Sequence, residues 1–287
     1  MGKLSGFLRL IRPVNCLIMG FAVLVGMLVA TQGFSLNGIT DVALGFTTGF
    51  TFLAAANVIN DYHDRNIDAV NKPHRPIPSG LIRPREALIY ASILSAAGFT
   101  SALLTNVPCL AIAAIAWVLL MYYNTEGKRT GLPGNLIVST CVALPFIYGG
   151  FAVGTGLKAI LALFSAMAFL STAGREITKG IVDVPGDRPH GVKTLAISHG
   201  PRTAAIAAAS LYGASVVFSF FPWILAEAEV SVWYLPFVAL ADGGFILSSV
   251  SLLRDYSLEN AGRVKDLVRL WMVMALFAFV AGKFGWG

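Results

Sequence analysis

Six carboxylate or amide side chains stand at two places in an otherwise apolar chain, and their spacing suits the binding of a hard cation. Asn60, Asp64 and Asp68 recur every fourth residue. On a helix they form one stripe about 12 Å long at 1.5 Å per residue. Asp61 lies about 100° round the same helix from Asn60, so it ranks second as a ligand. Arg175, Lys179 and Asp183 share another stripe by the same spacing. Asp187 continues that stripe unless Pro185-Gly186 bends the backbone. The offset from Asp64 to Asp183 equals that from Asp68 to Asp187, 119 residues in each case. Each cluster is followed by a related stretch, Pro84-Arg85-Glu86-Ala87 in one case and Pro201-Arg202-Thr203-Ala204 in the other. The clusters read as duplicates in two parallel halves of four helices each, with a ninth helix added.

Two like charges about 6 Å apart repel by roughly 3 kcal/mol at an effective dielectric near 20. Something positive must therefore sit among these carboxylates. A divalent cation held by carboxylate and amide oxygens fits, and Mg²⁺ commonly bridges such ligands to substrate phosphates. The alternative is a set of salt bridges to Arg65, Lys72, Arg75, Arg175, Lys179 and Arg188. Calcium loops of alternating oxygen ligands around a glycine have no counterpart here. His63, His74, His190 and His199 lack ligand spacing and read as solvated loop residues. Cys16, Cys109 and Cys141 are isolated in apolar stretches and read as small core residues.

The elements that must position these groups follow from composition. Of 287 residues 56% are hydrophobic and 13% charged, about half the charge of a soluble domain. Soluble, disordered and disulfide-stapled classes are excluded. Stretches of roughly 20 apolar residues lie near 14–31, 41–62, 87–105, 108–123, 134–154, 158–182, 203–225, 231–253 and 267–284. The expected fold is all-α: a polytopic bundle of nine transmembrane helices forming one domain over residues 1–287. Turn chemistry separates the spans at Gln32-Gly33, Asn106-Val107-Pro108, Gly154-Thr155-Gly156 and Leu225-Ala226-Glu227. Lys3, Arg9 and Arg12 resemble the basic start of a signal peptide. Eight further spans follow without a small-residue cleavage site, so the first span reads as a retained helix.

Lys and Arg number 21 against 15 Asp and Glu, a net charge of +6. With the N-terminus in the cytoplasm, every basic residue except Lys158 and Lys283 falls on the cytoplasmic side. Both acidic clusters then open to the cytoplasm, and the C-terminus lies outside. Basic residues shared among five separate segments are what this topology demands, and no nucleic-acid motif accompanies them. The expected location is the cell membrane, with lipid around the bundle and no obligatory protein partner.

Asn60-Asp61-x-x-Asp64-x-x-x-Asp68 resembles the first signature of the UbiA-type intramembrane prenyltransferases, and Asp183-x-x-x-Asp187 resembles the second. The loop Asn71 to Gly80, Arg12-Pro13-Val14-Asn15, Tyr123 to Lys128, Gly134-Asn135 and Gly191 to Leu195 are similar as well. The resemblance covers nearly the whole chain. It implies Mg²⁺-dependent transfer of a prenyl group from a polyprenyl diphosphate donor to a lipophilic or aromatic acceptor. By that resemblance Asn60, Asp64, Asp68, Asp183 and Asp187 ligate metal, with Asp61 behind them. Lys72, Arg75, Lys128, Lys179 and Lys193 are diphosphate candidates, Lys179 foremost because it shares the Asp183 stripe. Tyr123 either faces the allylic cation or belongs to an interfacial aromatic belt. Arg12, Asn15 and Arg175 are further substrate-binding candidates, Arg12 and Arg175 for an acceptor phosphate. Arg175-Glu176-x-x-Lys179 before Asp183-Val184-x-Gly186-Asp187 is similar to the archaeal ether-lipid branch. That branch joins geranylgeranyl diphosphate to geranylgeranylglyceryl phosphate. Pro185 stands where an acidic residue is expected. The alternatives are a 4-hydroxybenzoate or chlorophyll-synthase-like prenyltransferase and, further off, a secondary transporter. Transporter sites tend to lie at the membrane midplane on interrupted helices, whereas these acids sit at span ends.

Overall fold

The computed structural model describes residues 2–31, 38–225 and 230–284. The expected turns at Gln32-Gly33 and Ala226-Glu227 lie outside them. The described residues form helices and no strands: α1 (Lys3–Ile11), α2 (Pro13–Ala30), α3 (Ile39–His63), α4 (Arg65–Asn71), α5 (Pro84–Thr105) and α6 (Val107–Thr125), followed by α7 (Leu132–Ala152), α8 (Ala159–Val182), α9 (Val184–Asp187), α10 (Leu195–Phe218), α11 (Tyr234–Arg254) and α12 (Leu258–Ala281). Each long helix packs on the next, and α12 returns to α2 and α8 to close the bundle.

Several boundaries follow local chemistry. Pro13, Pro84 and Pro108 occupy first turns, where a missing N–H costs nothing. Asn106, Thr194 and Ser257 cap α6, α10 and α12 by accepting from Cys109, Ile197 and Asn260 N–H groups. The span expected to start at 203 begins earlier, at Leu195. Gly200, at φ 86°, breaks it before Pro201 resumes the helix. α2 and α7 cross where Gly26 meets the Phe146 backbone and Gly149 meets Met27 N. A Cβ on Gly149 would stand 2.4 Å from that nitrogen, so glycine sets the approach of the two halves.

Among the described residues eight helices are long and apolar enough to cross a membrane, one fewer than the nine expected. The difference is α12. It is 24 residues long, but Glu259, Arg263, Lys265, Asp266 and Arg269 occupy its first half. Outward-facing Ile89, Ile93, Leu104, Ile115, Val118 and Leu247 are exposed, as expected of a multi-pass membrane protein. One unexpected element precedes the first span. α1 buries Leu10 and Ile11 with Val58, Ile77 and Ile82 while Leu4 and Leu8 stay exposed, the pattern of an interfacial helix.

Hydrogen bonds fix which helix ends share a side. At one end Arg12 meets Asp61, Lys128 meets Asp64, Lys193 N–H meets Arg129 O, and Ser251 meets Asn260. At the other end Asn106 reaches Phe151 O, Ser231 N–H reaches Gly282 O, and Lys158 Nζ caps the α2 carboxyl terminus at Ala30 O (2.7 Å). The first end carries both acidic clusters.

Candidate active site

The duplicate clusters sit on duplicate backbone. α3 ends at Asp64 (φ −80°, ψ −2°) and α8 at Asp183 (φ −85°, ψ −2°). Each of these residues donates its N–H to the carbonyl four residues back, that of Asn60 or Lys179. Each accepts at its own carbonyl from the residue four ahead, Asp68 or Asp187, at 2.8 Å in both cases. Short helices α4 and α9 then carry the later aspartates. The bend therefore falls at Asp183. Pro185-Gly186 does not break the chain, because Pro185 lies in the first turn of α9.

Side chains from four other segments converge on the first cluster. Asp61 is 4% exposed, the least accessible carboxylate among the described residues. It accepts from Arg12 Nη2 at 2.6 Å and from Arg75 Nη1 at 3.0 Å. Arg75 also donates to Asp68. It is aimed by a compact loop in which Ser79 N–H meets Arg75 O and Ile82 N–H meets Pro76 O. Arg12 sits at φ 52°, the one positive φ of a non-glycine residue among the described residues. That left-handed corner between α1 and α2 costs energy and turns the guanidinium toward Asp61 and Asn57. Lys128 Nζ donates to both oxygens of Asp64 (2.8 and 2.7 Å). Asn60 faces Asn124 at 3.0 Å; with its amide turned to satisfy its neighbours it donates to Asp64 (3.2 Å) and accepts from Lys128 (2.7 Å). Burial lowers the Lys128 pKa, and the Asp64 charge opposes that shift.

The loops behind Lys128 are tightly joined. Gly131 (φ 72°) passes so close to Lys193 O that a Cβ there would stand 1.8 Å from it. Lys193 N–H meets Arg129 O at 3.3 Å.

The second cluster is arranged differently. Lys179 and Arg175 do not bond Asp183. Both donate to Glu176, a buried carboxylate about two turns deeper than Asp183, at 3.1 Å each. Among the described residues no Lys or Arg side chain bonds Asp183. Tyr123, half-buried on α6, interacts electrostatically with Lys179, Glu176, Asp64 and Asp183, and Lys128 with Lys179. Tyr123 is thus within electrostatic range of both clusters. Beneath the first cluster lies an apolar cavity of about 120 Å³ between α2, α3, α6 and α7, lined by Met19, Val23, Phe52, Leu53, Leu120 and Val142 among others.

Of the expected site residues, Arg12, Asp61, Arg75 and Asp68 form one bonded group and Asn60, Asp64 and Lys128 a second beside it, while Tyr123 lies in electrostatic range of Asp64, Lys179 and Asp183. Asp187 follows on α9 and is half-buried. Three of the expected residues or groups stand in surroundings that the sequence did not indicate. Asn15 is exposed and its side chain makes no hydrogen bond to the cluster among the described residues; Asn57, on the Asp61 face of α3, is the asparagine that meets Arg12 (3.5 Å). Lys72 and Lys193 are exposed, and their ammonium groups join no ion pair among the described residues. The carboxylates of the first cluster are paired with Arg12, Arg75 and Lys128. Glu176, Asn57 and Asn124 were not singled out from sequence. Glu176 could have been found, since it lies seven residues before Asp183 on the same helical face. Asn57 stands four before Asp61, and Asn124 had no signal beyond being polar in an apolar span. His63, His74 and His199 are exposed, and the three cysteines are free and buried.

The sequence profile of the UbiA prenyltransferase family matches residues 19–279. Digeranylgeranylglyceryl phosphate synthase of Methanothrix thermoacetophila is 37% identical over 276 residues, covering 96% of this chain and 98% of that one. The protein of the same name from Methanothermobacter thermautotrophicus is 36% identical over 283 residues, covering 98% and 96%. A solved structure from work on digeranylgeranylglyceryl phosphate synthase in membranes superposes with a TM-score of 0.82 at 33% identity, over 99% of both chains. A UbiA homologue from Archaeoglobus fulgidus bound to GPP and Mg²⁺ has the same fold, with a TM-score of 0.66 at 19% identity over 96% and 99% of the chains. A match over most of the chain, on a bundle that carries both acidic helix ends on one side, places this protein in the UbiA prenyltransferase family.

Proposed function

We propose that this chain transfers a geranylgeranyl group from its diphosphate to geranylgeranylglyceryl phosphate, as in archaeal ether-lipid synthesis. The observation that carries the reading is two acid-tipped helices ending on one side of the bundle, with Lys128 and Lys179 in electrostatic range of each other, above an apolar cavity. Relatives at 36–37% identity over nearly the full length bear the name of that synthase.

The donor set fits Mg²⁺. It consists of carboxylate and amide oxygens alone, without thiol or imidazole, and hard cations of this kind prefer such ligands. Asn60, Asp64, Asp68, Asp183 and Asp187 would hold the ion, with Asp61 held back by Arg12 and Arg75. When bound, Mg²⁺ neutralises charge developing on the leaving diphosphate. The chain's own residues do the rest. Lys128, bonded to Asp64, and Lys179, on the face of α8 that ends in Asp183, would supply fixed positive charge near the leaving group, the preorganisation that dominates many enzymes. The apolar cavity receives prenyl chain, Tyr123 offers a π face to the allylic carbon, and Arg175 and Arg12 are placed to meet the acceptor phosphate. Lys72 and Lys193 attract the anionic donor from the rim. In this reading α12 is the ninth span, the N-terminus is cytoplasmic, residues 1–287 act as one domain in the cell membrane, and the site opens to the cytoplasm.

The test is transfer from radiolabelled geranylgeranyl diphosphate by the purified chain. Mg²⁺-dependent labelling of the glyceryl phosphate lipid is expected. Prenylation of 4-hydroxybenzoate with none of the glyceryl phosphate would move the assignment to the aromatic branch.

A further inference from the structure

When an alcohol is prenylated its proton must leave, and α8 offers a place for it. We propose that Glu176 is the catalytic residue that takes the proton of the acceptor hydroxyl, and that Thr172, one turn deeper, seats that hydroxyl. This inference rests on the alcohol acceptor proposed above.

Thr172, Glu176, Lys179 and Asp183 stand at i, i+4, i+7 and i+11 along α8 and its C-cap, one face of a helix. That face looks into the site, since Tyr123 on α6 interacts with Glu176, Lys179 and Asp183. Glu176 therefore lies about 10 Å below Asp183 at 1.5 Å per residue, under the diphosphate position.

Two polar atoms beside Glu176 have no partner. Thr172 is 3% exposed, and its Oγ1 makes no hydrogen bond. Every other buried serine or threonine hydroxyl among the described residues makes one. Thr48, Thr51 and Thr178 do so by donating to the carbonyl four residues back, a route equally open to Thr172 by its place in α8. Arg175 Nε, three residues on, is the second orphan. Buried polar groups without partners are rare enough to require a cause. Polar atoms of a ligand entering beside Glu176 supply one.

Glu176 is 7% exposed and accepts one hydrogen bond at each oxygen, from Arg175 and Lys179. A carboxylate has further lone pairs to offer. The reaction asks little of a base at this point. An alcohol oxygen bonding to an allylic carbon becomes oxonium-like and strongly acidic. In the step, an acceptor oxygen lone pair forms the bond to C1, and the C1–O bond to diphosphate breaks with its electrons leaving on the diphosphate. The acceptor O–H bond then breaks, its electrons staying on the new ether oxygen and its proton passing to Glu176. The products are the ether, diphosphate and a neutral Glu176 carboxyl group. The groups facing Glu176 are Arg175 and Lys179 on its own helix, Tyr123 on α6 and Tyr212 on α10.

The test separates ionisation of the donor from capture by the acceptor. The full chain, reconstituted with Mg²⁺, is given geranylgeranyl diphosphate labelled with ¹⁸O in the bridging oxygen. Without acceptor, movement of label to non-bridging positions reports C1–O cleavage and return. With geranylgeranylglyceryl phosphate, ether formation reports the whole reaction. Glu176→Gln is expected to lose about 100-fold in ether formation, within the span of general-base effects, while label movement falls far less. Glu176→Asp should recover part of the loss. Thr172→Val should raise the acceptor KM about tenfold with the donor KM little changed, and Thr172→Ser should restore it. Parallel loss of both readouts in Glu176→Gln would make Glu176 only the holder of Lys179 and overturn the proposal. So would ether formation by that variant within about threefold of wild type. A wild-type chain that moves label but makes no ether from any glyceryl phosphate would overturn the acceptor assignment itself, and this inference with it.

Discussion

The two acidic helix ends share a backbone and differ in what neutralises them. At the first, Asp61, Asp64 and Asp68 are held by Arg12, Arg75 and Lys128, cations brought from three separate segments. At the second, the available cations Arg175 and Lys179 lie on the same helix and are taken by Glu176. Asp183 has no Lys or Arg bonded to it among the described residues. Duplication thus preserved the framework, while the charge balance diverged. Opposite charges 4 Å apart attract by roughly 4 kcal/mol at an effective dielectric of 20. Metal binding at the first end must rearrange such pairs, whereas the second end has an aspartate ready. The first end supplies cations to the site as well as ligands; the second supplies ligands and a protected carboxylate.

The strongest way to break this contrast is to remove one aspartate from each end. Asp64→Ala and Asp183→Ala should each cost at least about 100-fold in transfer, since both lose stabilisation of leaving-group charge. They should part company in thermal stability measured without Mg²⁺. Asp64→Ala leaves the half-buried Lys128 ammonium without its carboxylate and should lower Tm, whereas Asp183→Ala should not. Equal Tm values for the two variants would undo the contrast.

Lys128→Met comes next, with an expected donor KM increase of about tenfold and an acceptor KM near wild type. Lys128 also gives a pH signature. Its folded pKa lies below the ordinary lysine value, so between the folded pKa and 10.5 the unfolded chain binds more protons. Stability should therefore rise with pH through that window, the cost of the buried ammonium being fully present below the folded pKa. Melting curves of wild type and Lys128→Met across alkaline pH should diverge in that direction.

Arg12 tests charge against backbone strain. Arg12→Ala loses the Asp61 pair and keeps an unfavourable left-handed residue; Arg12→Gly loses the pair and relieves the strain. The glycine variant should be the more stable by about 1 kcal/mol. Smallest should be Lys72→Ala and Lys193→Ala, about two- to threefold in donor KM and vanishing at high salt, because exposed cations act only through screened attraction.

Much of this was legible in the residues. Long apolar runs specify helices because a spanning segment must satisfy its backbone internally, and the 119-residue offset announced the paired helix ends. The expected ninth span was less legible, and α12 is not among the eight described helices long and apolar enough to cross a membrane. Five charges in the first half of α12 leave its length as the main signal. α1 was read only as a basic approach to the first span, since nine residues are too few for a spanning pattern, and its burial depends on Ile77 and Ile82 from a distant loop. Among candidate site residues, those on the repeated stripes were legible in the spacing, whereas Asn57 and Asn124 became visible only through Arg12 and Asn60.

The sequence by itself determined the class, the helices, the clustering of cations at one end and the acid stripes, because all of these follow from composition and helical period. Tertiary structure alone decided which cation meets which acid. Asp61 looked secondary because it points about 100° from Asn60. It proved to be the anchor of the first cluster because Arg12, 49 residues away, and Arg75, 14 away, both reach it. Lys179 looked like the partner of Asp183 because it shares that face. It turned instead to Glu176, where a buried carboxylate needs compensation more than a half-buried one does. Such choices depend on the relative burial of competing partners, a property of the packed bundle and of no single helix.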